Sequence, residues 1–323
     1  MTTRRRFLLV SGAALATPVL PRLASAQQWP GRTIRAIVPF SAGSTIDIIG
    51  RIVLEPLSAA LGQAIVVENR GGAGGSIGTA AVAKAEPDGY TLLIHASAHS
   101  AAPAAYPNAP YDAGRDLAGV AIFGSVPNVT VISPAKGIKT LKELVEAARK
   151  GSFTFASAGV GSATHWAAER LRLAAGFSAL HVPFKGGPEA LTQVASGEVD
   201  FMSIGISSGM PFIRSGRLIP LAVSTLKRSS ALPEVPTTTE AGYPDSDYTF
   251  WNGMLVPAKT PRDIVERLHQ ETMKVLRQPG VIDKFKPQGI EPMPLAPAEF
   301  DALIAKEIES NKALVKAAGL KFN

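Results

Sequence analysis

The stretch Ile37-Val38-Pro39-Phe40-Ser41-Ala42-Gly43-Ser44-Thr45-Ile46-Asp47 runs from an apolar strand, through small residues, straight into a helix. A strand is expected over Thr33 to Phe40. The helix after it carries Ile48, Ile49, Ile52, Val53 and Leu57 at helical spacing, with Ser44 or Thr45 as its cap. The first amides of a helix have no acceptor within it and lie at the positive end of the peptide dipoles. Small side chains at Ser41, Ala42 and Gly43 let a ligand carboxylate approach that backbone, so the stretch reads as half of an anion site. An ordinary strand-to-helix turn is the plainer alternative, and the rest of the chain has to decide between them.

The second half repeats the device. Strand Ser152 to Ala156 leads into Ser157-Ala158-Gly159-Val160-Gly161-Ser162, and Ser162 can cap the helix Ala163 to Ala175, which packs through Trp166, Leu171 and Leu173. If both helix starts face one cleft, the pair holds an acidic ligand without an arginine clamp. Around these units the pattern alternates strand and helix. Strand Ala64 to Glu68 precedes the glycine-rich loop Asn69 to Gly78 and a small-residue helix, Thr79 to Ala85. Strand Tyr90 to Ile94 ends at a polar loop, His95 to Ser100, which puts Ser97 at a strand's carboxyl end, where open α/β sheets bind ligands. Pro103 to Asp116 reads as a loop, followed by strands Val120 to Phe123 and Val129 to Ser133. Thr140-Leu141-Lys142-Glu143 is a capping box for a core helix that stops at Gly151. Strand Leu180 to Phe184, loop Lys185-Gly186-Gly187, helix Pro188 to Ala195 and strand Val199 to Ile204 form a βαβ unit in which Lys185 can assist an anion. Strand Leu218 to Val223, an irregular Pro-rich segment, a returning strand Tyr248 to Val256 and helices Pro261 to Leu276 and Pro297 to Ala318 complete the chain.

Residues 1 to 26 read as an export leader: Arg4-Arg5-Arg6 in a twin-arginine pattern, an apolar segment from Phe7 to Leu20, and Ala24-Ser25-Ala26 as the cleavage site. The apolar segment is too short for a spanning helix and contains Pro18. An exported, soluble chain cleaved after Ala26 is therefore expected. Removing Arg4, Arg5, Arg6 and Arg22 lowers the formal charge from +7 to +3, so the basic balance does not point to nucleic acid. Zero cysteines exclude a disulfide, a thiolate metal site and a thiol nucleophile.

Three other chemistries can be weighed. The glycine-rich loop lacks G-x-G-x-x-G spacing, a Gly-Lys-Ser/Thr and a following acidic residue, which argues against a nucleotide cofactor. His95 and His99 lack carboxylates at ligand spacing, so no metal is expected. Gly205-Ile206-Ser207-Ser208-Gly209 matches the G-x-S-x-G elbow of serine hydrolases, with Asp245, Asp247, Asp263 and His269 in the right order. Against it, Pro211 follows almost at once and His269 lies inside an amphipathic helix.

Trp29-Pro30, Ile37-Val38-Pro39-Phe40 with Gly43 and Asp47, Val67-Glu68-Asn69-Arg70-Gly71-Gly72-Ala73-Gly74-Gly75, Pro87-Asp88-Gly89-Tyr90-Thr91-Leu92, Phe184-Lys185-Gly186, Leu232-Pro233-Glu234-Val235-Pro236-Thr237 and Pro257-Ala258-Lys259-Thr260-Pro261 follow one another along the chain. In this succession the chain resembles the Bug/TctC receptors, periplasmic solute-binding components of tripartite tricarboxylate transporters. The resemblance implies an α/β fold of the type II periplasmic binding-protein kind, two lobes joined by two crossovers around a ligand cleft. The expected lobes are 27–127 with 249–323, and 128–248. It also implies a small organic anion, mostly a carboxylate, held largely by backbone and water, and membrane transporter subunits as partners. A monomer is the default. Carried onto this chain, the family's ligand loops fall on Phe40, Ser41, Ala42, Gly43 and Asp47, and on Ser157, Ala158, Gly159, Gly161 and Ser162. The chain departs from the family pattern at Ser44, which replaces a second glycine, at the His-, Ser- and Ala-rich loop around Ser97, and at Ser203-Ile204-Gly205.

Overall fold

The computed structural model describes residues 29–318; the expected leader and cleavage site lie outside the described residues. The first sheet-forming region contains β1 (Ile34–Val38), α1 (Thr45–Leu61), β2 (Ile65–Asn69), α2 (Ser76–Ala83), β3 (Thr91–Ala96), α3 (Ala98–Ala105) and β4 (Leu117–Val126). Next come β5 (Asn128–Ile132), α4 (Leu141–Lys150), β6 (Thr154–Ser157), α5 (Ala163–Ala175), β7 (Leu180–Pro183), α6 (Gly187–Ser196), β8 (Phe201–Gly205), α7 (Ile206–Arg214) and β9 (Ile219–Val223). The chain ends with β10 (Phe250–Pro257), α8 (Arg262–Leu276), α9 (Pro279–Phe285) and α10 (Pro297–Ala318).

Two five-stranded sheets result, ordered β2-β1-β3-β10-β4 and β7-β6-β8-β5-β9. In each, four strands run the same way and the strand arriving from the other sheet, β10 or β5, runs antiparallel to both its neighbours. The chain leaves the first sheet at Val126 and enters the second at Asn128, with only Pro127 between. The outgoing and returning segments are bonded side by side: Ser224 N–H donates to the Asn128 carbonyl (2.8 Å) and Tyr248 N–H to the Ser224 carbonyl (2.8 Å).

Most local signals appear where the sequence puts them. Ser44 caps α1, Ser162 caps α5, and the Thr140–Glu143 capping box opens α4, which ends at Gly151. Three expectations need correction. The stretch from His95 to Ser100 is not a loop: β3 continues to Ala96 and α3 follows, with Pro103 inside it, because a run of alanines favours helix and its face at Ala98, Ala101, Ala102 and Ala105 is buried. The glycine-rich loop is shorter than expected, since α2 already begins at Ser76. Helix α9 has no counterpart in the expected elements.

The central strands β3 and β10 of the first sheet and β8 and β5 of the second are buried on both faces. Phe155, Phe201 and Leu171 pack behind the second sheet with α4 and α5. Trp251 and Phe300 meet edge to face at 4.9 Å behind the first. Glu307 of α10 accepts from Ser100 Oγ (2.5 Å) and Trp251 Nε1 (2.9 Å), tying α10 to α3 and β10.

Four of the five histidines form two buried or partly buried ring pairs. His165 and His181 stack at 4.0 Å, and His95 lies 5.5 Å from His99. Burial lowers the pKa of His165 to about 3, with the nearby His181 and Arg172 charges adding to it. It lowers His181 and His99 to about 4 each, and His95 well below its ordinary value with help from His99. These pKa values lie below that of an unfolded histidine, about 6.5, so falling pH protonates the unfolded chain first. Stability is therefore complete above about pH 6.5 and falls as pH drops toward 4, by up to about 1.4 kcal/mol per pH unit for each histidine. Thermal unfolding between pH 7.5 and 4.5 is expected to show this loss, with His181→Gln flattening the slope by roughly a quarter. A melting temperature unchanged over that range contradicts the assignment.

Candidate functional site

The first loop is built around Asp47. Its carboxylate accepts from Gly43 N–H (3.0 Å), Arg51 Nε (3.0 Å) and Asn69 Nδ2 (2.9 Å), while Asp47 N–H donates to the capping Ser44 Oγ. Burial pushes the Asp47 pKa up, but the bonds from Arg51, Gly43 and Asn69 outweigh it and hold the carboxyl below its ordinary value. Asp47 thus fastens the loop to the helix and to β2. Phe40 is buried and Ser41 half-buried, whereas Ala42 and Gly43 are exposed.

The second loop is pinned by hydroxyls and a ring. Ser157 Oγ bonds the Gly159 carbonyl (3.0 Å), receives the Gly159 N–H (3.1 Å) and contacts His181 Nε2 (2.6 Å). Ala158 N–H donates to Thr164 Oγ1 (2.8 Å), and Gly161 N–H to His165 Nδ1 (3.1 Å). Ser162 Oγ accepts from His165 N–H (3.3 Å) and shares a bond with Thr164 Oγ1 (3.0 Å). Receiving Gly161 N–H at Nδ1 requires a neutral His165, the form its lowered pKa favours.

Both loops open onto one cavity of about 30 Å³ between the sheets. Its lining includes Thr45, Ala98, Ala163 and Gly187, which are the first residues of α1, α3, α5 and α6. Ser44, Ile46, Ser162 and Thr164 belong to the same helix starts; Phe40, Ala158, Ile204 and Phe250 supply the rest. No charged side chain lines the cavity. The capping bonds engage the third helical amides, of Asp47 and His165, and the earlier amides of each helix are those without intrahelical acceptors. Four dipole-positive ends therefore meet at one small space.

Around it the lobes touch. Tyr106 Oη donates to the Val160 carbonyl (2.8 Å), Thr45 Oγ1 bonds Ser208 Oγ (3.0 Å), and Ser208 Oγ donates to the Gly43 carbonyl (3.1 Å). Gly74, at φ +60, sits so near the Val160 carbonyl that any side chain there would collide with it. The glycines of that loop thus serve a close approach of loop to loop. Gly186 likewise leaves no room for a side chain beside Ser41 Oγ.

Other expected site residues lie elsewhere. Ser97 Oγ pairs with Tyr248 Oη (2.9 Å) and borders a separate pocket with Arg170 and Glu307. Lys185 is exposed and does not line the cavity. Ser203 bonds Thr130 Oγ1 (3.1 Å), while Ile204, the next residue, lines the cavity, as strand alternation requires. Ser207 donates to the Gln288 carbonyl (3.2 Å) and His269 Nδ1 bonds the Val120 carbonyl (2.8 Å), so the two are held by different partners and form no triad. His95 and His99 bond backbone groups, and no group of three or more potential metal ligands occurs among the described residues. Sequence reasoning missed Ser208, Tyr106, Ile204 and Phe250. The Thr45–Ser208 contact joins residues 163 apart, and nothing local marks it.

The family described as tripartite tricarboxylate transporter family receptor matches residues 49–320. Protein BugT of Bordetella pertussis is 35% identical over 324 residues, covering 98% of each chain. The solved periplasmic binding protein BugD shares 32% identity at a TM-score of 0.86, over 91% of this chain and 99% of its own. MatC of Rhodopseudomonas palustris with bound malate shares 30% identity at 0.84, over 89% and 100% of the two chains. R. palustris Rpa4515 with adipate shares 30% at 0.86, over 90% and 98%. The architecture is thus that of these two-lobed binding proteins, and the family is one of receptors rather than enzymes, which sets aside the hydrolase reading of Ser207. With the match running over most of its length, the chain belongs to the tripartite tricarboxylate transporter family of receptors.

Proposed function

We propose that this protein is an extracytoplasmic receptor that captures a small carboxylate-bearing solute between its lobes and presents it to a tripartite tricarboxylate-type membrane transporter. The observation that carries this reading is the convergence of four helix starts on one cavity. Export through the leader, cleavage after Ala26 and residence in the periplasm belong to the same reading, with lobes at 27–127 plus 249–323 and 128–248. Family members are periplasmic binding proteins, and among the described residues no helix is long and apolar enough to cross a membrane.

A carboxylate facing a helix start gains roughly 0.3 to 2 kcal/mol, so four contribute a few kcal/mol toward the about 8 kcal/mol of micromolar binding. Hydrogen bonds to the first amides and exclusion of water on closure supply the remainder. At about 30 Å³ the cavity takes a water or two, so a solute enters as the lobes part and is then enclosed as they close around it. Binding is then coupled to lobe movement about the Pro127 and Tyr248 segments, and the solute must favour the closed form to drive it. Phe40, Ala158 and Ser162 contact the solute in this reading, with Ser41, Ser157, Gly159, Gly161 and Gly186 shaping the walls and Asp47 holding the first loop.

A thermal-shift screen of the mature chain against carboxylates, amino acids and aromatic acids is expected to find stabilising ligands; no shift with any of them overturns the receptor reading. Tyr106→Phe removes one bond across the cleft and is expected to weaken the ligand so found by about 2- to 10-fold in titration calorimetry, corresponding to a net hydrogen bond of about 0.5–1.5 kcal/mol. Unchanged affinity would place the Tyr106–Val160 contact outside the closing mechanism.

A further inference from the structure

The cavity has two kinds of wall. One is made of helix starts, which suit a single negative group. The other is made of Phe40, Ile204 and Phe250, all buried and none bearing a polar side-chain atom. The hydroxyls of the lining, those of Ser44, Thr45, Ser162 and Thr164, all belong to the helix-start wall, where each already has a partner. Ser44 Oγ accepts Asp47 N–H, Thr45 Oγ1 is bonded to Ser208, and Ser162 and Thr164 bond each other and the amides of His165 and Ala158. Two cations beside the site are occupied or outside: Arg51 is bonded to Asp47 and Asn69, and Lys185 is exposed. His95 stands edge-on behind Phe40 at 5.9 Å, with its Nδ1 receiving Ala96 N–H (2.8 Å).

On the receptor reading above, we infer that the solute carries one carboxylate on an apolar body, an aliphatic or aromatic monocarboxylate, because the wall opposite the helix starts offers no partner to a second charge. A second carboxylate turned toward Ile204 and Phe250 loses its hydration and meets no donor. An apolar body in the same place gains with each methylene it buries, about fourfold in affinity apiece. This separates the protein in solute class from MatC with malate and Rpa4515 with adipate, whose ligands carry two carboxylates.

Titration calorimetry of the mature chain with matched pairs tests it: hexanoate against adipate, and benzoate against terephthalate. The monocarboxylate of each pair is expected to bind at least tenfold more tightly, with affinity rising about fourfold per methylene from butanoate to hexanoate. Dicarboxylates binding as tightly or more tightly overturn the inference and leave the receptor reading standing; no binding by any of the acids overturns both. Ile204→Asn, which gives the apolar wall a donor and an acceptor, is expected to bring adipate to within threefold of hexanoate. A ratio that does not move, in a variant whose circular dichroism matches the parent, contradicts the assignment of the discrimination to this wall.

Discussion

The arrangement depends on where parallel strands end. A helix that follows a parallel strand directly begins at that strand's carboxyl edge, so its positive end is delivered there whatever the side chains are. The first sheet does this with β1 into α1 and β3 into α3, and the second with β6 into α5 and β7 into α6. The two carboxyl edges face each other, and the first residues of all four helices consequently line the same cavity. No charged residue has to be aimed at the space for it to be electropositive. The side chains are left to cap, to pin the loops and to leave room.

The crossovers keep those edges facing. Each sheet receives a strand from the other side, and each received strand is antiparallel and second from the edge, so the lobes are interleaved covalently at the hinge. There the outgoing and returning chains are bonded through Asn128, Ser224 and Tyr248. Across the mouth of the cleft the contacts are of another kind: one phenol on a carbonyl, hydroxyl pairs, and glycines pressed against backbone. Each such bond is worth about 0.5–1.5 kcal/mol net and exchanges readily for water. The crossover is thus continuous chain, and the mouth is a set of separable bonds.

The sequence was most legible where structure is local. The caps at Ser44, Ser162 and Thr140 are decided within four residues, and all three take their expected places. The positions of the two strand-to-helix turns follow from the same short-range pattern. Ser97 misled because polar and small residues around it resemble a loop, while the alanines that make α3 a helix gain their stability from burial against elements far away in sequence. The period of two in β8 makes Ile204, and not Ser203, line the cavity, and the register follows from pairing with β5 and β6, which no local pattern carries. Asp47 is marked by the sequence as important without its role, because its partner Asn69 lies 22 residues on.

A site made of helix ends also differs from an arginine clamp in what lobe motion does to it. An arginine belongs to one lobe and keeps its full charge beside an anion whether the other lobe is near or far. Here α1 and α3 start in the first sheet's lobe, and α5 and α6 in the second's. Parting the lobes removes two of the four positive ends from the space at once and admits water to the remaining two, and helix-dipole attraction fades within about one turn and is screened in solvent. On the proposed function the attraction is therefore strong only while the mouth is shut, and release of the anion follows from dividing the helix starts equally between the two lobes.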